Sequence, residues 1–201
     1  MKQKIIDRGF AASMKNTEEL GHWFTKVGFP EAGQLGAPSK KGEAPPVTAM
    51  SQIIKIAAAH EFGANIKHPG GTAYRTIAIG GEIRAIFISN KEAEEFDRRT
   101  RPHTIEIPER PFMRMSFDNN RGELQTFKAA RVLAVARGKE DAVTAIKKIG
   151  EFMTNKTKMT IRGGQFQPLS RATVLRKHSS RPLIDTSQMI NSVQHLEERR
   201  Q

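Results

Sequence analysis

Helix-like and strand-like stretches are segregated along this chain, and that order constrains its fold more than any other feature. In Val47–Phe62, the residues Met50, Ile53, Ile54, Ala57, Ala58 and Glu61 fall at helical spacing and line one face. Gly63 follows, and a glycine just past the last turn ends a helix. Thr72–Ile79 and Glu82–Ser89 then read as two strands around Gly80-Gly81, a hairpin signal, with His103–Ile107 as a further strand ended by Pro108. Beyond Pro111 the pattern turns helical. Phe112–Asn119 leads into a helix from about Arg121 to Arg137, stopped at Gly138. A second helix runs from about Glu140 to Thr160 on the stripe Ala142, Ile146, Ile149 and Met153, and Gly163-Gly164 breaks it. Alternating βαβ units would interleave the two patterns. The expected class is α+β: a small antiparallel sheet packed by helices, with extended loops or arms.

The remaining segments are shorter. Residues 1–20 suit a helix for which Asn16-Thr17-Glu18-Glu19 resembles a start, and His22–Phe29 reads as a strand closed by Pro30. Glu31–Pro46, rich in Gly, Pro, Ala and Lys, buries little and is expected to be an exposed loop. His68-Pro69-Gly70-Gly71 is a turn, and Lys91–Arg99 a short charged segment of helical character. Ser170 is placed to cap a short helix Arg171–Lys177, Ser179–Pro182 is a turn, and Leu183–Val193 precedes a charged tail. A length of 201 residues fits one structural domain, here with excursions at about 31–46, 66–103 and 163–182.

Charge is placed unevenly. Residues 120–201 hold 16 Lys/Arg against 7 Asp/Glu, or +9 of the net +12. The densest stretch runs from Lys147 to Arg181: Lys147, Lys148, Lys156, Lys158, Arg162, Arg171, Arg176, Lys177 and Arg181 against the single acid Glu151. Such a stretch attracts nucleic acid through phosphate neutralisation. It serves equally as a solvated face or as a surface for an acidic neighbour, and with only Phe152 and Phe166 as aromatics it is poor for base stacking. The absence of cysteine excludes disulfides, thiolate metal sites and cysteine nucleophiles, and suits a reducing compartment. No apolar run approaches the roughly 20 residues of a membrane span, and Met1–Arg8 does not lead into a signal-like apolar stretch. A soluble protein made in the cytoplasm, without a membrane partner, is expected.

Each catalytic pattern fails at a named position. His60-Glu61 begins a zinc-protease-like helix, but the position of the second histidine is Ala64. His22, His60, His68, His103, His178 and His195 have no ligand spacing. The glycine pairs form neither a phosphate cradle nor a dinucleotide fingerprint, and there is no nucleophile elbow. Glu18-Glu19 and Glu94-Glu95 sit among other charges as solvated surface. Asp185, with Thr186, has the bland role of capping a helix at Ser187–Asn191. The expectation is no enzyme, no metal and no cofactor.

Several segments in order form a larger pattern. Val27–Glu31 precedes Ala57-Ala58-Ala59-His60-Glu61-Phe62-Gly63, then His68–Tyr74, then Ile107-Pro108-Glu109-Arg110-Pro111-Phe112-Met113-Arg114. Pro168-Leu169-Ser170 with Thr173 and Arg181-Pro182-Leu183-Ile184-Asp185-Thr186-Ser187 through Val193 complete it. Over about residues 24–195 this succession resembles the virion-morphogenesis or tail-completion proteins (neck, head–tail connector) of long-tailed bacteriophages. Ser187 departs from that pattern, which usually has Gly there.

The resemblance implies a structural subunit repeated around a sixfold or twelvefold ring in the virion neck. Its neighbours would be the portal or adaptor ring and the tail terminator or tail tube. Rings use heterologous contacts, and Glu31–Pro46, Thr72–Ser89 and Gly163–Pro182 are the expected arms. The motif residues then act as packing devices. Gly63 allows a sharp turn, Pro108 and Pro111 fix a strand exit and a helix start, Phe112 and Met113 anchor the core, and Arg110 and Arg114 are placed to pair with Glu61. The basic segment would line the channel, touching packaged DNA without reading sequence, or dock on an acidic ring. The rival is a free-standing nucleic-acid-binding protein, argued from the pI of 10.2.

Overall fold

The structure, a computed structural model, describes residues 10–29, 34–35, 48–79, 82–89, 91, 93, 98–171, 173–174, 179–185 and 187–200. The chain divides into two compact units, Met1–Phe62 with Glu109–Gln201, and Gly63–Pro108. The class is α+β: helices accompany antiparallel sheets of two and three strands.

In the larger unit, α1 (Phe10–His22) runs directly into β1 (Trp23–Gly28). Two short strands, β2 (Gln34–Leu35) and β3 (Thr48–Ala49), pair ahead of α2 (Met50–Phe62). After the smaller unit come α3 (Phe112–Asn119), α4 (Arg121–Ala136) and α5 (Ala142–Gly163). The one-turn α6 (Gln188–Asn191) leads into β9 (Gln194–Arg199), which pairs antiparallel with β1 from Trp23↔Arg199 to Gly28↔Gln194.

The central element is α5, which packs against β1, β9, α1, α3 and α4. Its sequence explains this position. Ala142, Ala145, Ile146, Ile149, Gly150, Met153, Thr154, Thr157 and Ile161 are buried at helical spacing. Asp141 caps its start by accepting from the Thr144 backbone N–H at 2.9 Å and the Thr144 hydroxyl at 2.6 Å. Those two bonds hold the Asp141 carboxyl below the usual carboxylate range. Gly150 lies in the helix interior because a Cβ there would stand 2.5 Å from Thr25 Oγ1 and 2.7 Å from the His195 ring. It lets the helix lie close upon the β1–β9 pair.

Two apolar clusters result. One joins Ile53 and Ala57 of α2, Phe112, Ile161, Leu183, Met189, Ile190 and Val193. Phe112 is fully buried, edge-on to Phe29 at 6.2 Å, and contributes about 1.5–3 kcal/mol by its burial. The other joins Leu124, Ile146, Ile149 and Met153, flanked by Phe127 stacked on Phe152 at 4.7 Å. Ser116 and Thr157 share a buried hydrogen bond of 3.0 Å between α3 and α5.

In the smaller unit, β4 (Ala64–His68) pairs antiparallel with β8 (His103–Ile107), and β5 (Ala73–Ile79) lies between β6 (Glu82–Phe87) and β7 (Arg98–Arg99). Gly70 and Gly71 turn the chain at φ +85° and +81°. A Cβ on Gly70 would meet Thr100 O at 2.6 Å, so glycine is required there.

The strands at β1, β5, β6 and β8 and the helices at α4 and α5 fall where the sequence places them, and α2 ends where expected but begins at Met50, because Thr48–Ala49 pair as β3. Four other expectations are corrected. Asn16-Thr17-Glu18-Glu19 lies inside α1, which begins at Phe10, and the Thr17 hydroxyl bonds back to Ser13 O at 2.9 Å as an interior residue does. Arg98–Arg99 form a strand rather than helix, and Phe112–Asn119 is a helix of its own, separated from α4 at Asn120. The charged tail is β9. Most of the 31–46 loop, Gly80-Gly81, most of 91–97, Arg176, Lys177 and Thr186 lie outside the described residues. Among the described residues no helix is long and apolar enough to cross a membrane.

Candidate functional site

The motif residues converge on a junction around the end of α2. Glu61, in its last turn, is buried, and its carboxylate accepts from the backbone N–H groups of Met113 at 2.8 Å and Arg114 at 3.0 Å. Those groups belong to the first turn of α3, whose N-cap, Pro111, has no side-chain acceptor. Glu61 therefore caps a helix whose bonded residues stand 52 and 53 positions further on, and meets the positive end of its dipole. Arg114 closes the arrangement, donating from Nε to Glu61 Oε1 at 3.2 Å and from its terminal nitrogen to Glu61 O at 2.6 Å and to the Glu109 carboxylate. These carboxylates hold the Arg114 guanidinium above its ordinary pKa. Phe62 is 71% exposed, with that guanidinium 5.5 Å above its ring.

Arg110 takes another direction from the pairing with Glu61 that the sequence suggested. It is buried, and its Nε donates to Gln167 O at 3.1 Å while a terminal nitrogen lies 3.4 Å from His60 Nδ1. Burial lowers its pKa. His60 O accepts from the Arg110 backbone N–H at 2.6 Å. Pro182 is half-buried, and Leu183 enters the core at φ +62°. Asp185 is exposed, Thr186 lies outside the described residues, and the N-cap of α6 is Ser187, at φ +63° and without a side-chain cap bond. Gly63, at φ +70°, ends α2 as expected; Pro108 follows β8.

The basic residues divide into two sets. Lys148 reaches Glu140 at 2.6 Å, and Glu140 also faces Arg131 at 3.2 Å, so a buried carboxylate ties α4 and α5 together. Lys156 is 19% exposed, bonded to Glu123 at 2.5 Å and lying 5.2 Å over Phe152. Both lysines brace the fold. Lys147, Lys158 and Arg162 recur at helical spacing on the outer side of α5, with no ion pair among the described residues. Arg171 and Arg181 are exposed beyond the helix. An open groove of about 450 Å³ lies beside this end of α5, lined by Met115, Asn119, Asn120, Lys156, Met159 and Gln165 among others.

Sequence reading missed Glu123, Glu140 and Gly150. The acids lie 33 and 8 residues from their lysines, so no helical spacing marks them. Gly150 carried a signal: an isolated glycine within a helical pattern marks a close approach. Among the described residues no three His, Asp or Glu side chains group as a metal site. Comparison with protein-family models, curated proteins and solved structures yields no match.

Proposed function

We propose that this chain is a structural subunit of the neck of a long-tailed bacteriophage, a ring-forming connector, collar or tail-completion protein that joins the DNA-filled head to the tail without turnover. The observation that carries this reading is the convergence of its ordered motifs. His60-Glu61, Glu109–Arg114 and Leu183 come from three separated parts of the chain and meet around one helix junction. Their bonds go to backbone and core, which is the chemistry of a precise shape rather than of a reacting centre. The ring would be sixfold or twelvefold, seated between portal or adaptor and tail proteins.

Lys147, Lys158 and Arg162 favour a second role, contact with DNA phosphates, and this same stripe is what a free-standing nucleic-acid-binding protein would use. Assembly of particles with Lys147, Lys158 and Arg162 replaced by Glu tests the reading. Lys156 and Lys148 stay untouched, because they hold Glu123 and Glu140. Unjoined heads and tails with normal DNA retention identify the stripe as a docking surface. Joined particles that leak DNA identify a channel lining. Normal particles, with loss only of DNA binding by the isolated chain, overturn the neck reading.

A further inference from the structure

The strand β6 is the edge of its sheet. It pairs with β5 from Tyr74↔Phe87 to Ile79↔Glu82, and among the described residues nothing pairs its other side. The Ile88 N–H donates to Ala73 O at 3.0 Å, which fixes the alternation of the ladder. Residues 88, 86, 84 and 82 turn their backbone groups towards β5. Ile83, Ala85 and Phe87 turn theirs to the open edge. These three side chains share one face, and the large ones are strongly exposed, Ile83 at 80% and Phe87 at 59%. An open edge with exposed apolar side chains, no proline and no bulge is a template for another strand.

We infer that this edge is a docking surface for a second copy of the chain, through antiparallel β6–β6 pairing about a two-fold axis at Ala85. Three observations select this occupant. The free backbone positions are self-complementary: centring on Ala85 sets Ile83 opposite Phe87 of the partner copy, twice, and satisfies all three positions with about six hydrogen bonds. Tyr74, already edge-on to Phe87 at 6.4 Å, then extends an apolar row across both copies. Among the described residues the opposite edge, β7, offers two positions against the six of β6, so a head-to-tail joint onto those two leaves most of β6 unpaired. Charge also agrees. Gly63–Pro108 carries seven Lys/Arg and six Asp/Glu, +1 of the chain's +12, so this unit approaches its own copy with little repulsion. The pairing is isologous and closes on itself, so it stands independently of the ring reading.

The full chain, which has no cysteine, permits a direct test. In this pairing Ala85 faces itself in a hydrogen-bonded pair, with Cα atoms about 5.5 Å apart, within disulfide range. Ala85→Cys is expected to give a covalent dimer on mild oxidation, and Ile83→Cys, which faces Phe87, is not. Light scattering coupled to gel filtration provides the second arm. Ile83→Lys and Phe87→Glu each weaken the dimer about tenfold or more, and the double variant recovers it because Lys now faces Glu. Circular dichroism verifies that these exposed substitutions leave the fold intact. A monomer at every concentration, equal cross-linking of Ala85→Cys and Ile83→Cys, or no recovery in the double variant overturns the inference. A β6 edge filled only by a different protein's strand, in assembled particles, overturns it as well.

Discussion

Glu61 shows how one side chain joins distant parts of the sequence. Its carboxylate accepts two backbone N–H groups of α3 and pairs with Arg114, so a side chain without an acceptor oxygen leaves the donors of a helix start unsatisfied. Glu61→Ala is expected to lower unfolding stability by about 2–3 kcal/mol in denaturant titration. Glu61→Gln, which keeps one acceptor oxygen, should lose less. Ser187 poses the opposite case. At φ +63° it sits where an L side chain is strained and glycine is free. Ser187→Gly is therefore expected to stabilise the chain by about 0.5–1 kcal/mol, read as a rise in melting temperature. The backbone at this position thus has the conformation that favours glycine.

Among the elements, the contact of α5 with the β1–β9 pair depends on a missing side chain. Gly150→Ala gains helix propensity but drives a methyl group into Thr25 and His195. The steric term should win, with a net loss of about 1–3 kcal/mol, whereas Gly122→Ala, with open space around it, should stabilise. The elements also show which parts of the fold were legible. β5, β6 and β8 carry β-branched residues between turn glycines or prolines, and α5 has an unbroken apolar stripe, so local pattern was enough. β9 (Gln194–Arg199) holds a single large apolar residue, Leu196, and β4 only Ile66. Each exists because a partner strand supplies its hydrogen bonds, at a sequence separation that no local window spans. The candidate site divided the same way. The residues of the Glu61 junction were readable as a set of motifs. Which lysines were free was not, because that depends on Glu123 and Glu140 approaching from α4 and its following turn.

For the molecule as a whole, the units differ in charge more than in size. Nearly all of the net positive charge lies outside Gly63–Pro108, so any non-specific attraction to a polyanion would come from the larger unit. Replacing Lys147, Lys158 and Arg162 with Ala should reduce the slope of log binding constant against log salt by about three if all three meet phosphates. Replacing Lys67, Arg75 and Arg98 should leave that slope nearly unchanged. Filter binding across a salt series measures both.

The smaller unit begins and ends on one rung of a ladder, since Ala64 pairs with Ile107 in the β4–β8 register. A segment whose two ends are neighbours can be gained, lost or exchanged as a cassette, because the host chain needs only a short turn to close the gap it leaves. On the host side His60 O already receives the Arg110 N–H, so the doorway is held shut from within. The partners of α5 (β1, β9, α1, α3 and α4) all belong to the host part of the chain, so that packing draws on nothing between Gly63 and Pro108.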